Sequence, residues 1–265
     1  RNGICQRGRG GPRSRNVIIR DNLLEDIGGD GIKLWGTNGG LIERNLIRGA
    51  RMRCGTGEAA AGIWPFDCDD TVIQFNQVSG MKGTQDGQAY DSDYGCRRTL
   101  FQYNYSHQNE GGFMLLCAPG KAVNEDTIVR YNISVHDGIN SARVFHFGGN
   151  ATRNRIYNNT IVLSPQQDLP IFLGTAWNSG VSRDTVFTNN LFLVSEGGRG
   201  TWSFGPTQGN VFESNLFIGK HEGLPAGTAI TAKAPEFHGP LVPAKSVAEL
   251  VNFKPKSASG FPRGK

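Results

Sequence analysis

RRTLFQYN, residues 97–104, decides how this chain is read. Its pattern is a short apolar run, one or two variable positions, an asparagine, then apolar residues again. The same phrase returns as VIIRDNLL (17–24), GLIERNLI (40–47), TVIQFNQV (71–78), TLFQYNYS (99–106), TIVRYNIS (127–134), NRIYNNTI (154–161), TVFTNNLF (185–192) and NVFESNLF (210–217). The anchoring asparagines are Asn22, Asn45, Asn76, Asn104, Asn132, Asn159, Asn190 and Asn215, spaced by 23, 31, 28, 28, 27, 31 and 25 residues. Self-similarity at such a period marks a stack of equivalent units, each unable to bury its apolar face alone.

The units are strands rather than helices. Val, Ile, Phe, Tyr and Thr dominate them, and Gly-Gly, Asp-Gly and Asn-Gly punctuate the gaps. A second apolar strand follows each phrase: GIKLW (31–35), GIWPF (62–66), AYDSDY (89–94), GFMLLC (112–117), RVFHFG (143–148), PIFLG (170–174) and TWSFG (201–205). The expected fold is therefore all-β, a single-domain right-handed parallel β-helix of about eight coils, each coil about 4.8 Å from the next. It occupies residues 1–219, with 1–16 as an irregular lead-in. Residues 220–265, rich in proline, form an irregular C-terminal segment that caps the last coil, with a short helix expected at 246–253. An inward asparagine at each turn bonds its own coil and the next, so identical amides stack as a ladder. Asn104-Tyr-Ser and Asn132-Ile-Ser look like glycosylation acceptors, but ladder positions lie inside.

Over about residues 16–219 the phased asparagine phrases resemble those of the parallel β-helix proteins of the pectin-lyase-like superfamily. That resemblance implies the fold. It leaves function open among polysaccharide lyases, glycoside hydrolases, epimerases and adhesins.

Composition narrows the field. The 265 residues suffice for one large core, the hydrophobic fraction is 37%, and 37 glycines suit many short strands and turns. No apolar stretch is long enough to span a membrane. The formal net charge is +5, with basic residues concentrated at Arg1, Arg7, Arg9, Arg13, Arg15 and Arg20. That front segment lacks the interleaved aromatics of a nucleic-acid groove, so a nucleic-acid partner is not expected. The expected partner is a polysaccharide or oligosaccharide.

The chemistry concentrates in DGQAYDSDYGCRRTLFQYNYSHQNEGGFMLLC, residues 86–117. With Tyr90 and Ser92 inward, Asp91 and Asp93 project outward on one face, about 7 Å apart. The opposite register would bury both carboxylates in the core. Asp86 and Glu110 stand at matching strand entrances, and Phe113 and Leu115 suit the inside. Two carboxylates on a groove are what glycosidic hydrolysis requires, one protonated and one ionised. Glu110 is assigned as acid/base and Asp91 or Asp93 as nucleophile or base. Substrate contacts are assigned to Asp86, Trp64 (as a stacking platform), Asp67, His107, His146 and Lys82. No metal is required for hydrolysis. The alternative is a lyase acting on a uronate, with calcium held by Asp86, Asp91 and Asp93 and charge neutralised by Lys33 or Lys82. A non-catalytic carbohydrate-binding or adhesin stack is the competitor from another class.

Cys68, Cys96 and Cys117 close the second strand of successive coils. They form either inter-coil disulfides (Cys68–Cys96 or Cys96–Cys117) or a buried thiol stack. The disulfide reading goes with a secreted or periplasmic protein.

Overall fold

A computed structural model describes residues 2–8, 11–55, 57–140, 142–226, 228, 230–231 and 235–256. Arg1, Arg9 and the end of the C-terminal segment, 257–265, lie outside the described residues.

The chain winds as a parallel β-helix with three long sheets of nine, eight and nine strands, every pairing within them parallel and between successive coils. The first sheet carries the apolar second strands, among them Ile63–Phe66, Gln88–Ser92, Gly112–Ala118 and Phe145–Gly149. Each asparagine phrase is two strands, not one. In the fourth phrase Leu100–Gln102 belongs to the second sheet and Tyr105–His107 to the third. Between them stands one residue with a left-handed backbone, then the asparagine. That residue is Asp21, Arg44, Phe75, Tyr103, Tyr131, Asn158, Asn189 and Ser214 in turn, with φ from 53° to 60°.

The asparagine holds this corner. Asn76 donates Nδ2 to the Ile42 carbonyl at 2.9 Å and to Asn104 Oδ1 at 3.1 Å. Its backbone N–H also reaches Asn104 Oδ1, at 3.0 Å. The pattern repeats without a break from Asn22 to Asn215. Asn104 and Asn132 are buried, as their ladder positions require. A second ladder, which the phrase does not announce, runs on the far side of the third sheet. There Asn109 Oδ1 takes the Met81 N–H, and Asp137 Oδ1 takes Asn109 Nδ2 at 2.8 Å.

Inside, side chains of one kind sit above their like. Isoleucines fill the early coils, and Phe113, Phe145, Phe147, Phe172 and Phe187 the later ones. Phe147 and Phe172 stack at 4.8 Å. Outside, Phe75, Tyr103 and Tyr131 stack at 5.2 Å with planes 6–7° apart.

The segment after Gly219 does more than cover the last coil. His221–Glu222 and Ile230–Thr231 add strands to the first and third sheets. The chain then turns back along the outer face of the third sheet, where Ala244 and Phe253 pack with Val135, Val162, Leu191 and Leu216. The Ala244 N–H reaches Tyr105 Oη at 2.6 Å, 139 residues earlier. The expected helix is a 3-10 helix, Val247–Phe253. The cause is apolar surface: the third sheet presents Tyr105, Val135, Val162 and Leu193 on its outer face, and something must cover them.

Candidate active site

The strand Gln88–Ser92 carries Asp91, and Asp93 follows directly on its end. Tyr90 pairs with Ile63 on one side and Met114 on the other, which sends Tyr90 and Ser92 into the core. Asp91 and Asp93 point outward, as alternation requires. They are nevertheless only 5% and 8% exposed. Neighbouring loops close over them and leave a pocket of about 200 Å³ lined by Asp86, Asp91, Asp93, Cys117, Trp64 and Trp177, among others.

One register differs from the sequence reading. Leu115 pairs with Asp91 and faces the pocket, while Met114 and Leu116 join the core. The N–H groups of Phe113 and Met114 both bond the Val144 carbonyl. This bulge, at Gly112 with φ 113°, puts two consecutive side chains inward and reverses the alternation that follows.

Burial dominates the electrostatics. It raises Asp91 well above the usual carboxylate range, and the charges of Asp93 and Asp86 add to the effect. Asp93 is pushed up to about 7 by burial, against the Tyr94 N–H and the Cys117 thiol that bond it. Burial also raises Asp86, here opposed by the Arg143 charge, Gln88 and the Arg51 charge. Gln88 Nε2 reaches Asp91 Oδ2 at 3.2 Å and Asp86 Oδ1 at 3.4 Å. Asp91 Oδ1 is buried with no hydrogen-bond partner.

No family model matches the chain. Over 194 residues it is 36% identical to lacto-N-biosidase of Bifidobacterium longum subsp. longum, a stretch that is 68% of this chain and 11% of that protein. The native crystal structure of GH136 lacto-N-biosidase from Eubacterium ramulus superposes with a TM-score of 0.52 at 30% identity. Its selenomethionine derivative gives 0.51 at 31%. Each superposition covers 65% of this chain and 27% of the other. This chain is similar to lacto-N-biosidases. It spans about a tenth of the curated relative's length and about a quarter of the solved chains.

Against that likeness, the other residues singled out by sequence divide sharply. Asp86 joins Asp91 and Asp93 in the pocket. Glu110 does not line it. Its carboxylate takes Lys82 Nζ at 3.0 Å and the Gly83 N–H at 2.6 Å. Burial resists ionisation there, but those two donors prevail and hold Glu110 below its usual value. Lys82 is consequently turned away from the acids; with Glu110 it braces the loop that ends at Asp86. Asp67 pairs with Arg13 at 2.5 Å in the turn beyond the strand and faces outward.

His107 lies on the third sheet, stacked on Tyr105 at 4.9 Å, and so belongs to another face of the helix. His146 is closer: it pairs with Leu115 across the first sheet and meets Trp177 edge to face at 5.5 Å. Burial, then the Arg143 charge, lowers it to about 3, so the ring is neutral and Nε2 bonds Thr175 Oγ1 at 2.8 Å. Trp64 lines the pocket but is not an open stacking platform. It is 7% exposed, gives its ring N–H to Asp30 at 2.9 Å, and has Lys33 Nζ 3.6 Å from its ring centre.

Three participants were not found in the sequence. Arg143 is buried and grips the Thr84 and Gln85 carbonyls, the second at 3.0 Å, which fixes the loop carrying Asp86. Trp177 arrives from a turn after the strand Asp168–Thr175, and the only signal is indirect. A Cβ on Gly148 would lie 2.6 Å from the Trp177 ring, so glycine there makes room for it. Cys117 gives its thiol to Asp93 Oδ1 at 3.2 Å. No cysteine is in a disulfide, so of the two readings the Cys68–Cys96 and Cys96–Cys117 bridges are not formed and the buried thiols of Cys68, Cys96 and Cys117 remain. Cys68 and Cys96 instead donate to the Phe66 and Pro65 carbonyls.

Proposed function

We propose that this chain is the catalytic β-helix of a glycoside hydrolase of the lacto-N-biosidase kind, acting on oligosaccharides. The observation that carries the proposal is the trio Asp86, Asp91 and Asp93 around one small pocket walled by Trp64 and Trp177. The likeness to lacto-N-biosidases supports it.

Hydrolysis needs one carboxyl that holds a proton near neutral pH and one that is ionised. Asp93, near 7, is the proton donor to the leaving oxygen. Asp86 is its ionised partner, because it is the least buried of the three and faces the Arg143 and Arg51 guanidiniums. Asp91 stays neutral between them and keeps a third negative charge out of the pocket. This replaces Glu110, whose carboxylate is committed to the loop. Elimination is disfavoured, since Lys82 is paired with Glu110 and Lys33 is held against the Trp64 ring, so neither stands free beside the acids. No step uses calcium. That ion takes six to eight oxygens, whereas the groups that converge here include a thiol.

The test is turnover by the protein, expressed with whatever flanking sequence its gene encodes, on an aryl lacto-N-bioside and on neutral oligosaccharides. Release of reducing ends without absorbance from an unsaturated uronate supports the reading. Unsaturated product, or binding without turnover, overturns it. An exported protein goes with this reading, and fractionating the source cells tests it. Among the described residues no helix is long and apolar enough to cross a membrane.

A further inference from the structure

We propose that Asp91, Asp93 and Cys117 form a binding site for one borderline-soft divalent cation, with zinc as the fitting ion. One carboxylate oxygen from each aspartate and the cysteine sulfur lie within 4.8 Å of one another, all three side chains buried. Zinc binds carboxylate oxygen at about 2.0–2.2 Å and sulfur at about 2.3 Å, which sets an oxygen–sulfur edge of roughly 3.5 Å in a tetrahedron. The Asp93–Cys117 edge is already 3.2 Å. Three protein ligands with the fourth position open to a pocket is a set zinc accepts.

A second observation points to a ligand independently. Asp91 is 5% exposed, and its Oδ1 has no hydrogen-bond partner, a costly state that coordination would relieve. Neighbouring cations do not fill that role. Lys33 lies against the rings of Trp64 and Trp35, and Arg143 spends its hydrogen bonds on the Thr84 and Gln85 carbonyls. The thiol selects the ion, because hard calcium or magnesium gains little from sulfur.

Binding requires deprotonated ligands. The Cys117 proton and any proton on Asp91 or Asp93 pass to solvent as the metal enters, so affinity rises with pH. The other groups facing the site are Asp86 and Asp30, which favour the cation, Lys33 and Arg143, which oppose it, and Tyr94, which stays neutral.

Metal-free protein is titrated with cobalt(II) as a visible stand-in for zinc. The expected result is a thiolate-to-cobalt charge-transfer band saturating at one equivalent and bleached by zinc. Cys117→Ser should abolish the band and weaken cobalt binding by more than the ~10–100-fold that losing an outer partner costs. Cys5→Ser and Cys54→Ser should keep it. No band in the unaltered protein, or a band that survives Cys117→Ser, overturns the site. If Cys117→Ser does not fold by circular dichroism, Asp93→Asn, which keeps the thiol, should lose the saturable band; retention overturns the site equally. Inhibition of turnover by zinc rests on the proposed function. Cobalt binding at this site without inhibition would leave the metal site standing and sink the active-site reading.

Discussion

Two sets of buried polar side chains lie in the same coils and are built on opposite principles. In the asparagine ladder every buried amide is satisfied: each oxygen takes two donors and each nitrogen finds carbonyl oxygens on its own or the adjoining coil. In the carboxylate pocket the satisfaction fails. Asp91 Oδ1, Gln88 Oε1 and, beside the pocket, His146 Nδ1 are buried without partners. A fully satisfied network stabilises and specifies a fold, whereas orphaned groups cost stability and persist where something else depends on them. The contrast fits a ladder that serves the scaffold and a pocket that serves the proposed chemistry.

The sharpest way to break this comparison is Asp93→Asn. We expect turnover to fall about 10²–10⁴-fold, the range of general acid–base catalysis, with the melting temperature unchanged or raised. A clear loss of stability at normal turnover would move Asp93 to the scaffold. Asn104→Ala should do the reverse. It leaves the Asn76 N–H and Nδ2 without their shared acceptor and opens a buried gap. At ~1–3 kcal/mol per orphaned group, the cost is about 3 kcal/mol or more. Denaturant unfolding measures it, and turnover per folded molecule should not change.

The pH dependence of stability sharpens the same contrast. The folded chain holds the Asp93 proton up to about 7, while an unfolded aspartate releases it near 3.9. Between these values the folded state binds more protons, so Asp93 contributes stability that is full below about pH 4 and is lost as pH rises towards 7. Asp137, raised to about 6 by burial against its hydrogen bonds, acts in the same direction over a narrower window. Thermal melts from pH 4 to 8 should therefore show the unaltered chain losing stability with rising pH relative to Asp93→Asn, while the buried His146, lowered to about 3, pulls both chains the other way up to about pH 6.5. Equal slopes would mean that Asp93 is ionised at ordinary pH. The smallest effect is expected at the exposed aromatic stack. Tyr103→Ala removes two ring contacts, each worth ~0.5–1.5 kcal/mol, so about 1–2 kcal/mol of stability and no turnover should be lost.

Much of the architecture was legible because it is periodic. Eight phased asparagines demand one environment repeated, and inter-coil hydrogen bonding supplies it. The outward direction of Asp91 and Asp93 followed from alternation alone, since the other register would put carboxylates in the core. Leu115 escaped that logic, because a bulge at Gly112 reversed the alternation after Phe113. Glu110 looked equivalent to the other acids at the level of spacing. Its side chain is decided by Lys82 and Gly83, 28 and 27 residues away, which no local pattern announces.

The sequence by itself determined the coil count, the ladder and the strand that carries the acids, because these depend on local periodicity and on the cost of burying polar groups. Tertiary structure alone decided which acids meet, that Arg143 clamps the loop of Asp86, that Trp177 closes the wall and that the cysteines remain thiols. Those outcomes rest on the loops between coils. Loop lengths vary from one coil to the next, so their side chains meet through three-dimensional packing and leave no period to read.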